Sequence, residues 1–401
     1  MQTKGSGISD VGIIRDNNED FYLINEELGL YIVCDGVGGG NGGEVASKMA
    51  AETCSEYIEA NKHIIEEYFC LGNNDALIHS LMQSAVLHAC KTVYLEGQKQ
   101  PELDGMSTTF TAVLILNSKA LLGHVGDSRL YLARNSEVYQ ITEDHTVGHE
   151  IRERSISSHR AVTAYRFDSI LKKSIGFSQT VEADTMLFDL LPGDQLLLCS
   201  DGLYNNISKS IEFLPIIRQD PEIVLKDLIE LANNRGGRDN ITCILINCTL
   251  EEESYEDFCE DKEELLNDLS IFDNFLFKDM NFTRINRLIN SVDTYEIDKD
   301  EIICDMGRCP HGLFIVLKGT VEVYNDDKRI GTLKRKQFFG QYSLMMEKKE
   351  KFTYIAGEKC KVIYLETDRY RQLCRNHPKF GVQLLENFIK GCESLMTSSL
   401  P

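Results

Sequence analysis

Apolar and polar positions along this 401-residue chain change character on either side of one strongly acidic stretch. Before it, short apolar runs read as buried strands, among them Phe21 to Ile24, Leu30 to Cys34, Ser107 to Leu116, Ala120 to Arg129, Leu130 to Arg134, Val138 to Ile141, Leu196 to Cys199 and Asn240 to Asn247. Residues 44–60, 75–95, 207–217 and 221–232 space their apolar side chains at the helical period and are expected to cover a sheet. Residues 142–180 are polar and irregular, as a mobile flap beside a site would be. The acidic stretch, Glu251 to Glu264, is poor in apolar residues and reads as a solvated linker. The expected domains are therefore 1–250 and 265–401, joined by a linker at 251–264. Past the linker, 265–288 reads as a helix, and from Tyr295 short strands alternate with Gly, Asp and Asn as in a small barrel. Val362 to Leu365 is its last strand, followed by helices over 368–374 and 380–392.

Two of the strands end alike. Leu30 to Cys34 runs into Asp35-Gly36, and Leu196 to Cys199 runs into Ser200-Asp201-Gly202. Each has an acidic companion: Arg15-Asp16-Asn17-Asn18-Glu19-Asp20 before the first and Arg238-Asp239-Asn240 after the second. Carboxylates gathered at one site repel and raise one another's pKa unless a cation sits between them. An all-oxygen set without His or Cys suits Mg2+ or Mn2+ far better than Zn2+. The glycine beside each aspartate lets backbone oxygen approach such an ion. Two ions bridged by a carboxylate, for which Asp35 is the candidate, activate a water in line with a phosphoryl group. Arg15 would supply the forked contact to the phosphate.

Composition narrows the partners. Lys and Arg number 42 against 63 Asp and Glu, a net charge of −21, which argues against a nucleic-acid surface and against anionic membranes. The N-terminus has no apolar targeting core, no run approaches a membrane span, and the 13 cysteines are scattered without a C-x-x-C spacing. These features lead to the expectation of a cytoplasmic protein with reduced thiols. Gly38 to Gly43 satisfies the G-x-G-x-x-G outline of dinucleotide sites, but Asp35 just before it would oppose a pyrophosphate. A P-loop lacks its Gly-Lys-Ser/Thr, a cysteine phosphatase lacks a Cys with Arg six residues on, and His145 after Asp144 reads as structural.

Taken together, Arg15-x-x-Asn18-Glu19-Asp20, Asp35-Gly36-x-Gly38-Gly39, Gly126-Asp127-Ser128-Arg129, Ser200-Asp201-Gly202-Leu203 and Arg238-Asp239-Asn240 stand in the order seen in bacterial metal-dependent protein phosphatases of the 2C type, which residues 5–248 resemble. The resemblance implies an α-β-β-α sandwich and a dinuclear Mn2+/Mg2+ centre that hydrolyses phosphoserine and phosphothreonine without a covalent intermediate. It places Asp35, the Gly36 carbonyl, Asp201 and Asp239 on the metals, with Glu19 or Asp20 completing the shell. Asp127, with Asp201, resembles the site of a third, weaker metal. Two positions depart from the pattern: Asn205 stands where some relatives have an aspartate, and Val37 where some have a histidine for the leaving group.

Residues 268–392 resemble the cyclic-nucleotide-binding domain, a small jelly-roll barrel with flanking helices. Gly312 to Tyr324 looks like that family's central hairpin and Phe338 to Met345 like the start of its phosphate-binding cassette. The family's ribose-binding glutamate and phosphate-binding arginine are matched by Gln341, after Gly340, and, with a shift of one residue, by Lys351. The whole chain is thus expected to be an α+β protein, a four-layer α-β-β-α sandwich followed by the barrel, acting in signalling on phosphoserine and phosphothreonine proteins. A cyclic nucleotide is a candidate ligand and a homodimer a candidate assembly. The alternatives are an inactive phosphoprotein-binding adaptor, or a phosphatase dedicated to one signalling regulator with the barrel used for dimerisation or docking.

Overall fold

Side-chain alternation along β3 (Leu30–Val37) sets the layering of the first part of the chain. Leu30, Ile32 and Cys34 face one way and are buried with Ala46, Ala50 and Cys54 of the helix Gly43–Ala60 and with Met82 and Val86 of the helix Asp75–Lys99. On its other face Tyr31 lies over Gly5, and Tyr22 lies over Gly7 in the same way. A Cβ at Gly5 or Gly7 would stand 2.3 or 2.5 Å from the ring, so these glycines are what lets two sheets close on each other.

The computed structural model describes residues 1–37, 42–70, 74–135, 137–154, 165–207, 210–213, 221–249, 265–308, 311–346 and 348–397. The chain divides into two units, Met1–Asp257 and Phe258–Pro401. The expected linker 251–264, Gly38 and Gly39 of the glycine motif, residues 155–164 of the expected flap, and 208–209 and 214–217 of the expected helix 207–217 lie outside the described residues.

In the first unit one sheet has the order β2 (Asp20–Asn25), β3, β5 (Phe110–Leu116), β6 (Lys119–Val125), β9 (Asp184–Asp189), with the short β4 (Ser107–Thr108) on β3. The other runs β1 (Gln2–Asp10), β11 (Ile241–Thr249), β10 (Gln195–Cys199), β7 (Arg129–Arg134), β8 (Glu137–Gln140). The helix Pro221–Asn234 covers this second sheet by burying Val224, Leu225 and Leu228 against Leu197, Cys243 and Leu245. Helix, sheet, sheet, helix is the layering expected of the sandwich.

In the first unit the structure differs from the sequence reading at several points, among them the strand Asp184–Asp189. Gln2–Asp10 is a strand, paired along its length with Ile241–Thr249, although it carries glycine where a strand normally carries bulk. His63–Cys70 is an additional helix. Within the expected flap the described residues form the helix Val147–Arg154 and a turn at Tyr165–Phe167, tied by Arg152 to Asp168 and Lys172 to Glu150.

The second unit packs two four-stranded sheets, β12 (Asp293–Ile297), β19 (Cys360–Glu366), β14 (Gly312–Lys318), β17 (Phe338–Phe339) and β13 (Ile302–Cys304), β18 (Thr353–Ala356), β15 (Val321–Asn325), β16 (Lys328–Leu333). Val316, Phe339 and Val362 of the first share a core with Val321, Tyr354 and Ala356 of the second. The helices Thr367–Asn376 and Pro378–Thr397 follow. The single helix expected over 265–288 is not formed. Asp268, Asn274 and Asn281 each turn a side-chain oxygen back onto the backbone N–H of Ser270, Leu276 and Arg284, at 3.0, 3.1 and 3.0 Å. Such caps restart the chain, leaving turns at Leu269–Phe272 and Phe275–Phe277 and a helix only over Phe282–Ile289.

Candidate metal centre

The acidic residues singled out in the sequence come together where the two sheets end. Asp20 opens β2 directly opposite Asp35, near the end of β3. Asp201 follows β10, Asp239 precedes β11, and Asp127 sits in the turn between β6 and β7. Backbone contacts hold these ends. The Asp35 N–H donates to the Thr109 hydroxyl at 2.9 Å, and the Asp35 carbonyl accepts from the Thr109 N–H at 2.8 Å and the Thr108 hydroxyl at 2.9 Å. Gly36 donates to the Glu19 carbonyl at 3.1 Å, and a Cβ at Gly36 would stand 2.4 Å from the Gly43 oxygen. Only glycine fits that cradle.

Asn240 stitches the two acidic segments together. Its Nδ2 donates to the carbonyls of Val11 and Asn17, at 3.0 and 2.9 Å, and its Oδ1 accepts from the Glu19 N–H at 2.9 Å. A Cβ at Gly202 would lie 2.0 Å from the Asn240 oxygen, so the Asp201 turn also needs its glycine. The Asp127 turn is fixed by His145, whose Nδ1 accepts from the Gly126 N–H at 3.1 Å while its backbone N–H donates to the Gly126 carbonyl at 2.7 Å. That is the structural role expected of His145.

Burial and mutual repulsion load the site with unfavourable negative charge. Asp35 is pushed well above the ordinary carboxylate range, first by burial and then by Asp20, Asp201, Asp127 and Asp239. Burial likewise raises Asp127 to about 8 and Asp201 to about 6, each with a further push from a neighbouring aspartate. Asp20 is raised mainly by burial, against the pull of hydrogen bonds from Ser200 and Thr242. The Ser200 hydroxyl donates to Asp20 Oδ2 at 2.7 Å, while Asp20 Oδ1 is buried without a partner. Glu19 is more open, raised by partial burial and by Glu44.

Two cations lie at the edge of this charge. Arg15 donates from Nη2 to Asp239 Oδ2 at 3.0 Å, with its side chain about half exposed (52%). Arg129 grips Asp144 through Nε at 2.9 Å and Nη2 at 2.6 Å, donates to the Tyr131 hydroxyl at 3.1 Å, and stacks 3.6 Å over the Tyr204 ring. They offset part of the charge on Asp239, Asp201 and Asp127, yet burial and repulsion still hold Asp35, Asp127 and Asp201 above the ordinary carboxylate range. Among the described residues no three acidic, His or Cys side chains converge tightly enough to enclose an ion by themselves. Mg2+ usually takes only one or two carboxylates and keeps several waters, so this open, oxygen-only set with its glycine cradle and orphaned Asp20 oxygen fits Mg2+ or Mn2+. Asn205, in place of an aspartate, donates to Asp201 Oδ2 at 3.1 Å and occupies that oxygen.

The sequence reading did not foresee the polar residues behind the carboxylates. Ser128 and Ser200 stand in the acidic motifs without an assigned role, Thr109 and Thr242 lie in runs legible only as strand, and the roles of all four arise from cross-strand pairing. Ser200 Oγ accepts from the Thr242 N–H at 3.0 Å, and the Thr109 and Ser128 hydroxyls meet at 2.7 Å.

On the barrel, Gly340 has φ +89°, and a Cβ there would stand 2.3 Å from the Gly312 oxygen. Gln341 starts the short helix Gln341–Met346, its Oε1 buried without a partner. Lys351 is exposed. The residue before it, Glu350, is the buried one at 5% exposure; its Oε2 accepts from the Tyr354 hydroxyl at 3.4 Å and its Oε1 has no partner. Burial raises the Glu350 carboxyl.

Comparison with known proteins agrees with both halves. The family model described as protein phosphatase 2C matches residues 15–227, and that of the cyclic nucleotide-binding domain matches residues 295–377. The chain is 34% identical over 250 residues to the serine/threonine phosphatase Stp of Listeria innocua, covering 60% of this chain and 94% of that protein. It is 31% identical over 258 residues to the protein phosphatase PhpP of Streptococcus pneumoniae, covering 61% of this chain and 97% of that one. Among solved structures, the Mycobacterium tuberculosis serine/threonine phosphatase PstP/Ppp matches with TM-score 0.51 and 29% identity, over 62% of this chain and 100% of that one. A catalytic domain of PstP in complex with two manganese ions matches with TM-score 0.51 and 27% identity, over 62% and 99%.

Proposed function

The chain belongs to the protein phosphatase 2C family and is a metal-dependent serine/threonine protein phosphatase, and we propose that its turnover is carried by the strand-end carboxylates around Asp35. In this reading Asp35, the Gly36 carbonyl, Asp201 and Asp239 hold two Mn2+ or Mg2+ ions. Glu19 or Asp20 completes the shell, and Asp127 serves a third ion. When bound, the ions supply Lewis-acid activation of water and neutralise charge on the phosphoryl oxygens. The protein's part is to hold the reactants in place. Arg15, half exposed beside Asp239, is free on its solvent side to take the phosphate in a forked contact. Ser200 holds the Asp20 carboxylate from behind, and Thr109 holds the Asp35 backbone in place. The observation that carries the reading is the buried, mutually repelling set around Asp35, which a divalent cation resolves.

The barrel is read as the regulatory module. Gly340, Gln341 and Lys351 are its candidates for meeting a cyclic nucleotide, and the buried Glu350 beside Lys351 weighs against tight hold on the phosphate. No helix among the described residues is long and apolar enough to cross a membrane, and the reading places the enzyme in the cytoplasm with phosphoproteins as its substrates. The test is hydrolysis of a phosphothreonine peptide with Mn2+ and with EDTA. Turnover should require Mn2+ and fall at least ~1000-fold in Asp35→Asn. Activity retained in that variant would remove Asp35 from the centre.

A further inference from the structure

The loop that carries Arg15 also presents two apolar side chains to solvent. Ile13 is 64% exposed and Ile14 is 65% exposed. A single exposed isoleucine is ordinary; here two stand in sequence on a loop whose backbone is fixed. The N–H groups of both donate to the Gly237 carbonyl, at 2.8 and 3.2 Å. Gly12 just before them has φ +79°, its N–H is held by Asp10 Oδ1 at 2.8 Å, and a Cβ there would stand 2.3 Å from the Asp239 oxygen. A Cβ at Gly237 would meet Ile13 Cγ1 at 2.8 Å. Two glycine-dependent contacts therefore clamp this loop to the Gly237 to Asp239 segment, and the clamped loop displays isoleucine outward.

The position of the pair gives the display a use. Arg15 is the next residue, with its guanidinium on Asp239. Neighbouring Cα atoms are ~3.8 Å apart, and an extended peptide advances by a similar step per residue. Ile13 and Ile14 are therefore within one or two residue steps of Arg15, a span that the residues flanking a phosphothreonine held at Arg15 can cover. The protein's net charge of −21 makes acidic flanks unwelcome there, and an apolar flank is the chemistry that two isoleucines recognise.

We propose that Ile13 and Ile14 form a docking ledge that selects phosphoprotein substrates carrying a branched aliphatic residue one or two positions from the phosphorylated residue. This rests on the phosphatase reading above. The test compares two phosphothreonine peptides, one flanked by Leu and Val and one by Ser, together with p-nitrophenyl phosphate, in the full-length Mn2+-loaded enzyme. The wild type should favour the aliphatic peptide by about tenfold in kcat/KM. Ile13→Ser/Ile14→Ser should abolish that preference through KM, with p-nitrophenyl phosphate hydrolysis unchanged. Ile13→Leu/Ile14→Leu should keep it. No preference in the wild type, or a double Ser variant that loses all three substrates equally, would overturn the proposal. Failure of the wild type to hydrolyse p-nitrophenyl phosphate at all would instead overturn the phosphatase reading on which it stands.

Discussion

Each of the two units buries carboxylate where a ligand is expected, and the surroundings differ. In the sandwich Asp20, Asp35, Asp127 and Asp201 are contributed by separate strand ends, raise one another, and are tied by backbone N–H groups, hydroxyls and Asn240. In the barrel Glu350 is a lone buried carboxylate with one long contact from Tyr354 and an orphaned oxygen, while the lysine beside it points to solvent. Repelling carboxylates assembled from many elements make a place for a cation. A solitary one makes a place that resists an anion. On the proposed reading, the same burial serves catalysis in one unit and works against cyclic phosphate in the other.

The largest expected effect sharpens the first half of this comparison. Ser200→Ala removes the hydroxyl on Asp20 and should weaken Mn2+ affinity by about 10–100-fold, read by titration. Unchanged affinity would mean that Asp20 is placed by its strand alone. A smaller effect follows from the raised carboxyls. Asp127 at about 8 and Asp201 at about 6 lie above the ~3.9 of an unfolded aspartate, so without metal the native state binds more protons than the unfolded one across that window. The chelated enzyme should therefore lose stability as pH rises from 5.5 to 8, by a few °C in Tm. Saturating Mn2+ should restore the loss at pH 8. A chelated Tm that rises over this interval would contradict the repulsion. The smallest effect concerns the barrel: cyclic AMP should bind weakly at pH 7, with Kd no tighter than ~0.1 mM, and Glu350→Gln should tighten it several-fold. Tight binding in the wild type that Lys351→Ala abolishes would show that Lys351, not Glu350, governs the site.

What could be read from sequence follows the same division. The candidate aspartates Asp35 and Asp201 were legible because each follows an apolar strand and is followed by glycine, and Asp239 because it stands just before one with Asn240 after it, local patterns that survive folding unchanged. The residues behind them were not, because Ser200 and Thr109 acquire their roles from strands distant in sequence. Gln2–Asp10 was hidden for a related reason, since Gly5 and Gly7 lower its strand character in order to seat Tyr31 and Tyr22. The helix expected over 265–288 failed at Asp268, Asn274 and Asn281, which periodicity counts as a polar face and the backbone uses as caps. On the barrel, a shift of one residue separated the exposed Lys351 from the buried Glu350, a difference in burial that the sequence does not record.

The central claim is that the carboxylates around Asp35 form one shared metal centre. Calorimetric titration of Mn2+ into the chelated full-length protein and into Asp35→Asn tests it without reference to activity. Two tightly held ions per wild-type chain and a third, weaker one, with tight binding collapsed in the variant while its fold by circular dichroism is kept, is the predicted result. Equal stoichiometry and affinity in the two proteins would contradict it.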